Sequence, residues 1–301
     1  MAVEAMGTMA PASAPPSPFA AFWHAFRENR GAVIGLGAIT IIVLCGIFAP
    51  FLTIYDPFVQ YRDAVKVPPF WVQGGSWAHP LGTDPLGRDM WSRLIYGSRL
   101  SIFIGLAVMV VSTAFGILVG LLAAWRGGWV DVVIQRVMDL IISIPDILLS
   151  IMVIAVIGPN LTNTILAIMV VYLPRYVRLM RSSALVELSK DYVTAAKVSG
   201  VRPLRLMLST VLPNCLAPLI VQAALGLSDA ILAAAALGFL GLGAQPPTPE
   251  WGSMLADAKD LIISNPWVMA MPGLAILITV LAINLMGDGL RDALDPRLRR
   301  S

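Results

Sequence analysis

Charge is scarce in this sequence. Only 13% of its 301 residues are charged and 57% are hydrophobic, whereas charged residues make up about a quarter of a soluble domain. That balance excludes an ordinary soluble protein and points to a membrane protein. The basic excess is small, a formal charge of +3, which excludes nucleic acid as a partner. On a membrane protein the side on which the positives fall says more than their sum. Cysteine is nearly absent as well. Cys45 and Cys215 stand alone, and the span layout below puts them near opposite faces of a bilayer, too far apart for a disulfide within one chain. The only histidines, His24 and His79, lack metal-ligand spacing, so no metal site is expected and both are read as surface or capping residues. There is no phosphate-binding loop of the G-x-x-x-x-G-K-[ST] type and no Ser/His/Asp or Cys/His set. The chain is therefore expected to hydrolyse no nucleotide, to carry no catalytic residues and to bind no cofactor of its own.

What the sequence has is long apolar runs. Residues 1–18 are rich in Ala, Pro and Ser, cannot bury enough surface to offset the entropy of ordering, and are expected to be a disordered tail. A short amphipathic lead-in from Phe19 to Arg30 precedes the first apolar run. A membrane helix needs about 20 apolar residues. The pattern predicts spans at 31–50, 100–125, 132–157, 161–176, 216–238 and 267–286, so residues 19–301 form one six-span unit. The first reads as an uncleaved anchor rather than a signal peptide, because no small-residue cleavage site follows it. The third is interrupted by Arg136, Asp139, Pro145 and Asp146, and the fourth ends at Pro174 and Arg175. Between the first two spans, Phe51 to Arg99 is polar and rich in turn formers, a sizeable external loop. Asn160-Leu161-Thr162 matches a glycosylation sequon, but a three-residue match in a tight turn carries little weight.

Six spans place both termini on one side. Arg27, Arg30, Arg126, the cluster from Arg175 to Arg205 and the Arg-rich C-terminal tail share that side, against Arg62, Lys66, Arg88, Arg93, Arg99 and Lys259 opposite. The positive-inside rule makes the first side cytoplasmic. The stretch 187–213 is then a cytoplasmic loop. Leu188 to Ser199 can form one short helix, Gly200 permits a sharp turn, and Val201 to Val211 can form a second helix bounded by Pro213. Such a pair buries little against itself and calls for a partner. Ala195 and Ala196 leave room beside the turn for another surface. A loop resting on lipid headgroups is the competing reading, and it gives the small residues no purpose.

Acids at bilayer depth are costly. Asp229, mid-span, either lines a polar translocation pathway or pairs within the bundle, and Asp139 is in reach of Arg136 one turn away. The G-x-x-x-G pairs Gly31/Gly35 and Gly116/Gly120 suit close helix packing, and the run Ala233 to Ala236 suits the centre of a bundle.

With those residues in view, the sequence resembles the inner-membrane permease subunits of ABC importers. Their cytoplasmic loop carries E-A-A-x3-G-x9-I-x-L-P, matched here by Ala195, Ala196, Gly200, Leu212 and Pro213. Thr194 stands where the family often has Glu and Thr210 where it has Ile, so a salt bridge from the Glu position does not apply. His79-Pro80-Leu81-Gly82-Thr83-Asp84, Gly87-Arg88-Asp89 and Ser92-Arg93-Leu94 resemble the segment before the second span of C-type peptide permease subunits. Phe239-Leu240-Gly241-Leu242-Gly243, Gln245-Pro246-Pro247 and Trp251-Gly252 resemble their last external loop.

The resemblance implies an all-α, six-span, type I importer permease fold in a bacterial inner membrane. It also implies a heterodimer with a second, B-type permease, two ATPase subunits that hold ATP and Mg, and an external solute-binding protein. Thr194, Ala195, Ala196, Lys197, Ser199, Gly200, Val201 and Arg202 would seat the loop in an ATPase groove. Dipeptides are the implied substrate, with longer peptides, nickel chelates and haem or its precursors handled by relatives. A stand-alone secondary transporter is the reading from another class. It predicts internal repeats and paired intramembrane charges, and neither is evident in the sequence.

Overall fold

In the computed structural model, residues 17–294 are described, and the regular structure among them is helical. The expected tail lies outside the described residues except for Ser17, whose hydroxyl accepts the Ala20 N–H at 3.2 Å, and Pro18. These two open α1 (Pro18–Glu28). Asn29 caps α2 (Arg30–Ile47) by accepting the Ala32 N–H at 3.1 Å, and its amide donates to Asp292 at 3.0 Å. The short α3 (Ala49–Leu52) then leads into the polar connection.

The predicted second span is the middle of a longer helix, α4 (Met90–Arg126). At 1.5 Å per residue its 37 residues reach about 55 Å, well beyond a hydrocarbon core of about 30 Å. It begins ten residues before the predicted start because Asp89 caps it, accepting the Ser92 N–H at 2.8 Å.

The predicted third span is two helices, α5 (Gly128–Ile142) and α6 (Asp146–Ile157), bent by 94°. Pro145 supplies the break. It has no N–H to continue the ladder and forces Ile144 out of helical geometry.

The predicted fourth span also runs on. α7 (Leu161–Leu188) passes through Pro174, because Tyr176, Met180 and Ala184 beyond it are fully buried and tertiary packing outweighs the local penalty. Asn160 caps α7, accepting the Asn163 N–H at 2.9 Å, a structural use for the sequon residue.

After α8 (Asp191–Val198) the chain turns into α9 (Pro203–Arg205), a π-helical turn (Leu206–Val211) and α10 (Leu212–Phe239). These three form one continuous run, Pro203–Phe239. The predicted helix 201–211 therefore starts two residues late and does not stop at Pro213. The wider i→i+5 winding of the π turn precedes the proline and accommodates its ring and missing donor. Finally α11 (Trp251–Ala258) and α12 (Pro266–Leu294) follow.

Four of these helical runs are long and apolar enough to cross a membrane, and the bent α5–α6 pair makes a fifth. The remaining expected span, the fourth (161–176), lies in α7, whose second half carries Arg175, Arg178 and Arg181. The core runs between α4, α6, α7 and α10, where Ile104, Ile168, Tyr176 and Ala234 pack. Both G-x-x-x-G pairs serve packing inside the chain. A Cβ at Gly35 would collide with the α12 backbone, and one at Gly120 with α7. Exposed Ile34, Ile41, Phe115, Leu118, Leu277 and Leu281 give α2, α4 and α12 apolar outer faces suited to lipid.

Candidate functional site

Three regions hold the polar chemistry: a knuckle at α8–α9, a charged stripe along α7, and a buried network where the two long connections meet.

The knuckle is built around Gly200. α8 ends in a Schellman motif, with the Gly200 N–H bonded to Lys197 O at 3.0 Å and the Val201 N–H to Ala196 O at 3.2 Å. Gly200 sits at φ +77°, where an L side chain is strained, and nothing lies within 4 Å of where its Cβ would be. The glycine is thus required by the turn and not by crowding.

One side of the knuckle is anchored. Val193, Leu206, Met207 and Val211 are buried, and Met207 and Val211 pack with Met180, Ala184 and Cys215. Glu187, buried at the end of α7, receives Lys190 Nζ at 2.6 Å and the Tyr192 hydroxyl. Asn214 on α10 donates to that same Tyr192 oxygen at 3.2 Å. Thus α8 is tied to both α7 and α10.

The other side is free. Thr194, Ala195, Lys197, Ser199, Gly200 and Arg202 are exposed, and Ala196 and Val201 are half-buried. Ser199, Gly200, Val201 and Arg202 share a recess of about 780 Å³ with Leu204, Arg205 and Leu208. All eight predicted coupling residues therefore fall on one outward knuckle.

Asp229 lies some distance along α10, in the charged stripe. Arg175 Nη1 donates to Asp229 at 2.9 Å and Nη2 to Asp146 at 2.6 Å, and the guanidinium carbon lies 4.8 Å from the centre of the Tyr172 ring. Tyr172 in turn donates its hydroxyl to the Asp229 carbonyl at 3.1 Å. Two further rungs follow: Arg178 to Asp139 at 2.6 Å and Arg181 to Asp131 at 2.5 Å. The arginines recur every three residues and so share one face of α7. The expected Arg136–Asp139 pair is present but longer, at 3.7 Å.

Ion pairs between helices, which the sequence does not make evident, are therefore present. The signal that finds them is the i, i+3, i+6 arginine series set against acids at 131, 139 and 146. The side chains of Arg175, Asp146 and Asp229 stay 42%, 52% and 44% exposed. Charge so exposed belongs against water or another subunit, not lipid. The three line a cavity of about 370 Å³ together with Ser150, Tyr172, Ala233 and Ala236.

The third region corrects the reading of one histidine. His79 is buried, not at the surface, and its Nδ1 lies 2.8 Å from Asp89. Tyr55 stacks on it with ring centres 4.5 Å apart. Beside it, Arg88 joins Asp84 at 2.5 Å and Asp257 at 2.8 Å, while Arg93 reaches the Pro57 and Pro247 carbonyls. Trp251 is buried and donates to Leu94 O at 3.1 Å. His24, by contrast, is exposed and pairs with Glu28 at 3.2 Å.

Glu250 caps α11 by accepting the Gly252 and Ser253 N–H groups at 2.7 and 2.8 Å. Burial nevertheless raises its carboxyl above the usual carboxylate range, outweighing those bonds. A folded-state pKa above the unfolded one means stability that is fully present below the unfolded value and lost as pH rises through the folded one. Glu250→Gln, which mimics the protonated acid, removes that dependence. Wild type should therefore gain thermal stability relative to Glu250→Gln as pH falls from 8 toward 5, in melts of the purified protein. A constant difference would show that the carboxyl titrates normally.

With the geometry in place, known proteins supply the context. Residues 116–300 match the family model of the binding-protein-dependent transport system inner membrane component, and residues 17–69 match that of the N-terminal TM domain of oligopeptide transport permease C. A di/tripeptide transport system permease protein, DppC, of Pseudomonas aeruginosa is 55% identical, with 97% of this chain and 98% of that protein covered. The dipeptide transport system permease proteins of Escherichia coli K12 and Haemophilus influenzae are 54% and 51% identical, covering 96% and 95% of this chain and 96% and 97% of theirs. Among solved structures, an inward-facing MetNI methionine ABC transporter chain aligns with a TM-score of 0.51 at 22% identity. That alignment covers 68% of this chain and 98% of that one, a likeness of fold. The model match spans more than half of the sequence and the relatives nearly all of it, so this chain belongs to the binding-protein-dependent inner-membrane component family, the permease subunits of ABC importers.

Proposed function

We propose that this chain is the C-type permease subunit of an ATP-driven dipeptide importer. Its partners in that reading are a B-type permease, two ATPase subunits that hold ATP and Mg, and an external solute-binding protein. Both termini and the α8–α9 knuckle face the cytoplasm, and six segments cross the membrane, α7 supplying the one that composition alone does not pick out. The names of the relatives that match end to end support the substrate. Longer peptides, nickel chelates and haem precursors are the alternatives within the same family.

The observation that carries the mechanism is the attachment of the knuckle. Its exposed face is free to dock, while its anchored face is tied to α7 through Glu187 and continues without a break into α10. The same two helices hold Arg175 and Asp229 beside the cavity. ATP-driven closure of the ATPase pair then moves both walls of the pathway through one handle, and the partner permease supplies the other half of the path. Internal ion pairs also suit a secondary transporter, but a free-standing carrier has no use for the exposed glycine turn.

Affinity purification of the tagged chain from its own membranes tests the proposal. It should bring down a second permease and P-loop ATPases, and the reconstituted assembly with its binding protein should take up labelled dipeptide only with ATP. Uptake by this chain alone, without ATP, would overturn it.

A further inference from the structure

We infer that Arg175, Asp146 and Asp229 form a receptor for the two charged ends of a free peptide, an inference that rests on the transport reading above. Arg175 is the centre, holding Asp229 on Nη1 and Asp146 on Nη2. One cation between two carboxylates leaves a net charge of −1 on the cluster, so one acid is held by a shared partner. The three residues come from α7, α6 and α10, and their meeting depends on how these helices sit.

A zwitterion is the ligand that can enter this arrangement without leaving a charge unpaired. Its carboxylate takes one arm of the Arg175 fork in a charge-assisted hydrogen bond, while an aspartate keeps the other arm. The aspartate displaced from that arm then receives the ligand's ammonium group. The count of ion pairs is kept or raised by one, so passage costs little at a depth where an unpaired charge is expensive. A dipeptide separates its termini by about 7 Å when extended, and the cavity of about 370 Å³ falls within the usual range for small-molecule sites. Tyr172, under the guanidinium at 4.8 Å, holds the cation in place from below. The rest of the lining, Ile147, Ala233 and Ala236 among it, is apolar or small. The site so built reads termini and tolerates varied side chains.

The test uses the whole transport complex with Ala233→Cys as a reporter on the cavity wall. Maleimide labelling is read at position 233 by mass spectrometry, apart from Cys45 and Cys215. Alanyl-alanine at millimolar concentration should slow labelling about fivefold, and acetyl-alanyl-alanine and alanyl-alanine amide, each lacking one charge, less than about twofold. Adding Arg175→Gln should abolish protection, and Arg175→Lys, which keeps the cation without the fork, should retain part of it. Equal protection by all three ligands, no protection by any, or full protection in Arg175→Gln overturns the receptor. The ligand series needs no change at Arg175, so it stands even where that variant fails to assemble. A wild-type complex with no ATP-driven dipeptide uptake would sink the transport reading itself. Uptake with equal or absent protection sinks the receptor alone.

Discussion

Gly200→Trp should reduce ATP-driven uptake by roughly 100-fold or more while the chain still inserts and folds, since about 3 kcal/mol of lost docking corresponds to that factor. The argument has two parts. Position 200 has open space around its Cβ, so a side chain can leave the backbone there without a clash. The φ of +77° costs any L residue about 1–2 kcal/mol, which a turn tied down on both flanks can bear. On the outer face of the knuckle, the indole fills the recess shared with Arg202, Leu204 and Arg205, where the ATPase would seat. Gly200→Ala separates the effects. It carries the same strain without the bulk and should lower uptake only severalfold. Normal ATP-dependent uptake by Gly200→Trp, in a complex of normal yield, would show that the knuckle does not couple.

That knuckle was legible in the sequence because its signals are local. A glycine after a helix-forming stretch, two alanines before it and basic residues around it predict an exposed turn. The continuation past Pro213 was not legible, because no local rule foresees a π turn. It follows from burying Met207, Val211 and Cys215 against α7 and α4, which is a tertiary outcome. The rungs of the stripe were hidden for a related reason. They join residues 29, 39, 50 and 54 positions apart, and each arginine alone reads as a span terminus. Asp229 was visible as an intramembrane acid, but its partner Arg175 was taken for the end of a helix that in fact continues to Leu188.

Arg88→Leu should destabilise the protein by about 3–5 kcal/mol, the usual cost of leaving a buried charge without its partner. Arg88 and Asp84 are almost wholly buried, and Arg88 also holds Asp257 of α11. Removing the guanidinium leaves Asp84 facing only Arg93, 3.6 Å away. The connection 53–89 then loses its Arg88 tie to α11 and leans on Arg93, which still bridges the Pro57 and Pro247 carbonyls. In a thermal melt of the detergent-purified complex the midpoint should fall by roughly 10 °C. Adding Asp257→Leu removes one of the two carboxylates then left to share Arg93 and should recover part of the loss. An unchanged midpoint in the single variant would mean that the network is decorative. His79 and Arg88 were recognisable beforehand only as parts of a family-like segment. Nothing in the spacing showed that Arg88 meets Asp257, since that meeting depends on Trp251 lodging beside Leu94 and Gly97.

The π turn at Leu206–Val211 sets the rotational phase between the knuckle and α10. A π turn carries one residue more than an α turn over the same rise, and each residue of an α-helix accounts for about 100° of rotation and 1.5 Å of travel. Everything before the turn, including Gly200, is therefore phased against Asp229 by that single surplus residue. Winding it out would swing the handle by more than a quarter revolution relative to the pathway, with hardly any change in length. If the knuckle couples as proposed, this joint carries torque more than thrust.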